Sequence, residues 1–159
     1  MKKRNALSLV ELIIYLGVVS IVLLAMVDLV THLVYSQTKT SNNIEVTQNS
    51  ELIFSRLNQT IENASAISGS YPSNTLNLTI EGQSVVFSLN AGRLSVNENG
   101  QGEIYLNPEK IEITEINGPI FTKVVNGSSN SVQVNFEGRL KANQNIKEDF
   151  TSTYVMRGK

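Results

Sequence analysis

The sequence predicts an α+β protein, in which a long N-terminal helix packs on an antiparallel β-sheet domain. Residues 7–27 are apolar apart from one carboxylate, which indicates that the first half of the helix spans a membrane. Between residues 46 and 67, apolar positions recur at three, four or seven residues, so the second half is amphipathic. After residue 72, apolar and polar residues alternate, which is typical of half-buried strands.

Composition narrows the possible functions. The chain has 159 residues, 41% of them apolar and 17% charged, with a net charge of −1. It has no basic patch of the kind that nucleic-acid-binding proteins show, so we expect no direct nucleic-acid binding. The chain has no cysteine, which excludes disulfide bonds and thiolate metal sites.

The N-terminal apolar segment runs from Leu7 to Val27. It contains 21 residues with Glu11 inside, and about 20 helical residues cross a hydrocarbon core. A basic cluster, Lys2 to Arg4, precedes it, which predicts a cytoplasmic N-terminus and a C-terminal domain outside the cytoplasm. We therefore expect a single-pass protein of the cytoplasmic membrane.

Glu11 is the unusual residue of this segment. A carboxylate within hydrocarbon costs a few kcal/mol on insertion scales. A plain signal anchor leaves it unexplained, unless the side chain reaches back to the headgroups from one turn inside the helix. A secretory signal peptide would have a shorter apolar core, followed by a small-residue cleavage site. The third interpretation is a cleavage site before the apolar run, between Ala6 and Leu7, with a positive partner for Glu11 in an assembled state.

The stretch Ala6-Leu7-Ser8-Leu9-Val10-Glu11-Leu12-Ile13 resembles the N-terminus of type IV pilin-like precursors. That family has a short basic leader, a small residue, a hydrophobic residue that becomes the new N-terminus, and glutamate at the fifth mature position. It more often has glycine where this chain has Ala6, and phenylalanine where this chain has Leu7. The resemblance implies a leader peptide at 1–6, cleavage between Ala6 and Leu7 by prepilin peptidase, and N-methylation of Leu7.

The resemblance also implies a role for Glu11 and a set of partners. In a filament, the Glu11 carboxylate would meet the α-amino group of Leu7, its own or a neighbour's. The segment 7–27 would first lie in the lipid bilayer and then form the core of a pilus or pseudopilus. The implied partners are other pilin or pseudopilin subunits and an inner-membrane assembly platform.

The second half of the helix is expected over residues 28–68. Its apolar stripe consists of Val46, Ile53, Leu57, Ile61, Ala64 and Ile67. The opposite face carries Gln48, Glu51, Arg56, Gln59 and Glu62, which is the pattern of a helix lying on a core. The polar stretch 38–43 predicts a locally weakened helix, and Gly69 with Tyr71-Pro72 predicts where the helix ends.

The β-rich domain is expected over residues 69–159, with about seven short antiparallel strands covered by the amphipathic stripe. Three features beyond the membrane segment weakly resemble the minor pseudopilins called J: the run Arg56 to Ala64, the turn Leu89 to Leu94, and a terminal β segment ending in Arg157. The sequence thus predicts a minor pilin or pseudopilin of a type II secretion, type IV pilus or competence system. The alternative is a membrane-anchored extracytoplasmic binding domain that never polymerises.

Three groups of residues in the sequence are candidate sites for chemistry. His32, the one histidine of the chain, lies one turn after Asp28, which is typical of interfacial polar residues. The loop Asn97 to Glu103 has oxygen ligands around glycines but lacks the aspartates of a calcium loop. The carboxylates Glu109, Glu112 and Glu115 fit a solvated strand face. We therefore expect no enzyme activity, no metal and no cofactor.

Overall fold

The computed structural model describes residues 9–126 and 129–157. It confirms an α+β protein with one long N-terminal helix packed with antiparallel sheets. The chain divides into two units between Ser41 and Asn42. Helix α1 covers Leu9–Glu62 and passes without a break through the polar stretch 38–43. The described strands are β1 Ala66–Ser68, β2 Thr75–Ile80, β3 Gln83–Asn90, β4 Arg93–Glu98, β5 Glu103–Tyr105, β6 Ile111–Glu115, β7 Phe121–Asn126, β8 Ser129–Leu140 and β9 Asn143–Val155.

The strands form two antiparallel sheets. The first is a five-stranded meander in the order β1-β2-β3-β4-β5. In the second, β8 is the central strand and pairs with β6, β7 and β9. Two hairpins of the meander turn on the residue pairs Glu81-Gly82 and Ala91-Gly92, all four with positive φ. Two-residue turns with positive φ match the right-handed twist of the flanking strands, and glycine adopts a positive φ without strain.

The second half of α1 forms the core together with both sheets. The predicted stripe is confirmed from Val46 to Ala64, because Val46, Ile53, Leu57, Ile61 and Ala64 are all buried. Ile120, just before β7, and inward-facing side chains of the two sheets complete this core: Leu76, Leu78, Val85, Phe87, Leu94, Val96, Ile113, Phe121, Val132, Val134 and Phe136. The phenyl ring of Phe54 stacks on that of Phe136, with 5.0 Å between the ring centroids. The helix therefore supplies one layer of the core.

Two details differ from the prediction. The helix ends at Glu62 rather than near residue 67, because Ser65 donates its backbone N–H to Thr79 O at 2.8 Å and residues 66–68 pair with β2 as β1. The structure also describes nine strands rather than about seven. The first half of strand β9, which begins at Asn143, carries mostly exposed side chains and shows no apolar alternation from which a strand could be predicted.

Candidate membrane and assembly segment

The first unit of the chain exposes apolar side chains around the whole helix. Its large apolar residues from Leu9 to Tyr35 are exposed, whereas the stripe of the second unit is buried. A helix that is apolar on all sides needs an apolar environment, such as lipid or other helices. By length and composition, α1 is long and apolar enough to cross a membrane, and none of its most apolar stretch is buried within the chain.

The exposed apolar surface is longer than the predicted span. It continues beyond Val27 through Leu29, Val30, Leu33, Val34 and Tyr35. At about 1.5 Å per residue, the helix from Leu9 to Tyr35 is about 40 Å long, against about 30 Å for a hydrocarbon core. An upright helix of this length leaves one or two turns of apolar surface beyond the bilayer core.

Two hydroxyl groups within this segment, those of Ser20 and Thr31, are bonded to the helix itself. Ser20 Oγ donates to Leu16 O at 2.7 Å, and Thr31 Oγ1 donates to Val27 O at 2.8 Å. Each hydroxyl thus uses a carbonyl four residues earlier. Such bonds satisfy the polar groups without water, so these residues are compatible with an apolar environment.

The charged groups of the first unit are few. Glu11 lies in the first turn of α1, and Ala6 and Leu7 lie outside the described residues. His32 Nε2 is 3.7 Å from Asp28 Oδ1, and both side chains are about four-fifths exposed. This contact is an ion pair only when His32 is protonated, and an exposed pair of this kind contributes little to stability. Asp28 and His32 therefore lie one turn apart on the same face of α1.

The acidic positions considered in the sequence lie on the surface of the second unit. Arg139 donates to Glu112 Oε2 from Nε at 3.0 Å, and Glu115 accepts a hydrogen bond from Asn74. Glu109 is exposed. Glu112 thus lies on the solvated face of β6, as predicted, whereas Glu109 precedes this strand and Glu115 is its exposed last residue.

The loop Asn97 to Glu103 is a surface turn. Glu98 forms an ion pair with Arg56 of α1, while Asn99 and Gly100 both adopt positive φ at the turn. Among the described residues, no three histidine, aspartate or glutamate side chains lie close enough together to hold a metal ion.

Sequence reasoning missed Asn107, which joins the two sheets. Its side chain is 2% exposed. Its Oδ1 accepts from Leu94 N at 2.8 Å, and its Nδ2 donates to Gly92 O at 3.1 Å and to Ile111 O at 2.6 Å. The Asn-Pro dipeptide at 107–108 signals a turn. No local pattern, however, indicates that the side chain of Asn107 forms hydrogen bonds with three backbone groups.

Among the described residues of the second unit, the pKa values of Tyr71, Lys147 and Tyr154 are shifted upwards. Burial raises the pKa of the Tyr154 phenol above 10.0, and burial also raises that of Tyr71, where a hydrogen bond with the Asn77 backbone opposes the shift. The pKa of Lys147 is raised because its Nζ donates to Glu137 Oε2 at 2.6 Å. All three stay protonated at neutral pH, so none is placed to act as a base there.

Comparison of the chain with protein-family models, with curated proteins and with solved structures found no match. The class of protein is therefore defined by the structure: an α+β chain with an N-terminal helix long and apolar enough to cross a membrane.

Proposed function

We propose that this chain is a minor pilin or pseudopilin, a structural subunit of a type IV pilus-like filament. The observation that carries the proposal is the helix α1. Its first half is apolar on all sides and carries Glu11 in its first turn, and its second half is built into the core of the β domain. Such a helix both holds the subunit in a membrane and offers an apolar surface to other subunits.

Glu11 distinguishes this proposal from a plain membrane anchor. Its carboxylate costs free energy in hydrocarbon, and an anchor gains nothing from it. After cleavage between Ala6 and Leu7, the new α-amino group of Leu7 lies four residues before Glu11. Residues four apart lie on one face of a helix. In a low-dielectric filament core, the ammonium of the same or a neighbouring chain attracts the carboxylate strongly and offsets its desolvation.

The proposal includes a processing and assembly route. Prepilin peptidase removes residues 1–6 on the cytoplasmic side and methylates Leu7, and the β domain lies outside the cytoplasmic membrane. An inner-membrane assembly platform then transfers the subunit into a pilus or pseudopilus. The filament belongs to a type II secretion, type IV pilus or competence system.

The first test is the chemical state of the N-terminus. We expect mass spectrometry of the chain from cells that contain prepilin peptidase to show loss of residues 1–6 and a methylated Leu7. Cells without the peptidase should retain the full N-terminus, and an Ala6→Gly variant should be processed at least as completely. A full-length N-terminus in peptidase-containing cells would contradict the proposal and favour a non-polymerising membrane-anchored domain.

The second test concerns the negative charge of Glu11. We expect Glu11→Ala to insert into the membrane normally but to be lost from sheared filaments, because the ammonium of Leu7 then lacks its partner. Glu51→Ala is the matched control, since Glu51 is an exposed glutamate of the same helix. Immunoblots of membrane and filament fractions measure both. Equal incorporation of the two variants would refute the role of Glu11.

A further inference from the structure

Segment 28–35 of α1 has a polar side and an apolar side. Side chains advance by about 100° per residue around a helix axis, and α1 is unbroken here, so each position around the axis is fixed. The polar side consists of Asp28, Thr31, His32 and Tyr35. The apolar side, centred about 180° away, consists of Leu29, Val30, Leu33 and Val34. Beyond Val27, the helix therefore continues its apolar surface on one side only.

The apolar side needs a cover from outside the chain. Its four side chains are 55–62% exposed within the described part of the chain. Contacts on the polar side, by contrast, stay within the helix, because His32 Nε2 lies 3.7 Å from Asp28 Oδ1 and Thr31 Oγ1 donates to Val27 O. Exposed apolar surface of this kind marks a contact with lipid or with protein.

The place where each side turns polar is the mark of a tilted membrane helix. All sides of an upright helix leave the hydrocarbon core at the same residue. In a tilted helix, the side turned toward the membrane leaves it later than the side turned toward water. Here the polar side begins at Asp28, whereas the apolar side ends at Val34, about 10 Å further along the axis.

Two estimates of the tilt follow from these positions. An offset of about 10 Å across a helix about 10–12 Å wide corresponds to a tilt of about 40° from the membrane normal. The helix axis from Leu9 to Thr31, midway between the two exit points, is about 33 Å long, and crossing about 30 Å of hydrocarbon then requires about 25°. Both values lie within the range that membrane helices adopt.

The N-terminal end of the helix has the matching asymmetry. At that end of a tilted helix, the opposite side leaves the hydrocarbon first, so polar residues belong on the side that is apolar at the other end. Glu11 and Tyr15 lie 18 residues before Leu29 and Leu33, which is five full turns, and so on that same side. The tilt that covers Leu29 and Leu33 with lipid also turns Glu11 and Tyr15 toward the nearer headgroups.

We propose that α1 crosses the membrane at a tilt of about 25–40°, with the apolar side of segment 28–35 on acyl chains and its polar side in water. The acyl chains belong to the leaflet away from the N-terminus. A helix of another protein is the alternative cover, but it gives no reason for Glu11 and Tyr15 to share the side of Leu29 and Leu33. The inference rests on the membrane insertion that the proposed function includes, and it does not depend on filament assembly.

The test is a scan of single-cysteine variants, since the chain has no cysteine of its own. Residues 28 to 35 are replaced one at a time and spin-labelled, and the full chain is reconstituted at low density in phosphatidylcholine–phosphatidylglycerol bilayers. Electron paramagnetic resonance then measures collisions of each label with oxygen, which concentrates in hydrocarbon, and with a water-soluble nickel chelate. We expect the immersion depth to oscillate with the helical period by about 5 Å, the difference between two sides of a helix tilted by about 30°.

Neighbouring positions give the sharpest comparison, because an upright helix predicts the opposite order. His32→Cys should collide more often with nickel than Leu33→Cys, although Leu33 lies farther along the helix from the membrane. At the other end, Tyr15→Cys should collide more often with nickel than Ile14→Cys, although Ile14 lies nearer the N-terminus.

Val19→Cys is the matched control, since position 19 lies within the most apolar stretch and should collide with oxygen alone. Nickel collisions at this position would show that α1 is not inserted, which would overturn the membrane anchor together with this inference. With position 19 immersed, a steady rise of nickel collisions from residue 28 to residue 35 would overturn the tilt alone. Few collisions with either reagent at Val30 and Leu33 would show that protein, not lipid, covers the apolar side, and would also overturn the inference.

Discussion

Replacing Gly138 with alanine would place a methyl group where the second half of α1 approaches β8. The added Cβ would lie 2.9 Å from Ser50 Oγ, 3.3 Å from Val46 Cγ1 and 3.4 Å from Phe150 Cε2. Favourable contacts between heavy atoms lie near 3.5–4.0 Å, so the Ser50 side chain must rotate within the core, or the helix and the strand must move apart. Glycine at this position therefore sets how closely α1 packs on the sheet.

The expected cost follows from these distances. Overpacking a well-packed core costs about 1–3 kcal/mol, and alanine regains about 0.5–1 kcal/mol of the backbone entropy that glycine loses in a strand. We expect Gly138→Ala to lower the free energy of unfolding by about 1–2 kcal/mol. For a domain of this size, that corresponds to a melting temperature about 4–8 °C lower.

Thermal unfolding of the full chain in detergent, followed by near-ultraviolet circular dichroism, measures this shift. Gly17→Ala is the matched control, since its added Cβ meets open space among the described residues. Adding Ser50→Ala to Gly138→Ala removes the shortest contact and should recover about 1 kcal/mol relative to additivity. A Gly138→Ala variant as stable as the Gly17→Ala control, or a strictly additive double variant, would refute the packing argument.

Two further predictions concern the same domain. Asn107→Ala should lower the free energy of unfolding by about 2–3 kcal/mol, because Leu94 N–H and Ile111 O lose the hydrogen bonds that the Asn107 side chain makes with them, whereas Gly92 O still accepts from Ile113 N. Urea unfolding at constant m-value checks this. Because the pKa of Tyr154 is raised in the folded state, the folded chain keeps a phenol proton that the unfolded chain releases near pH 10. The contribution of this phenol to the free energy of unfolding is therefore complete below that pH, and it is lost as the pH rises through the folded-state pKa. Tyr154→Phe should therefore reduce the alkaline loss of stability, and an unchanged pH profile would contradict this.

Local patterns predicted the elements whose environment is uniform along their length. The spacing of Val46, Ile53, Leu57 and Ile61 gave the buried helix face, because a helix repeats every 3.6 residues whatever it packs against. The alternation of residues 132–136 likewise gave a strand face. Strand β1 and the first half of β9 escaped prediction because their side chains are largely exposed, and only the pairing of their backbones with β2 and β8 identifies them as strands. The polar outer face of the five-stranded sheet could not be predicted from local patterns, because it depends on how four strands pair with one another.

The sequence by itself determined the apolar N-terminal segment with Glu11 and the order of helix before strands, because hydrophobicity and periodicity are properties of neighbouring residues. Tertiary structure alone decided that the strands form two sheets and that β8 is the centre of one of them. It also decided that Gly138 lies under Ser50 and that Asn107 links the sheets. These features depend on contacts between residues dozens of positions apart, and no local pattern records such contacts.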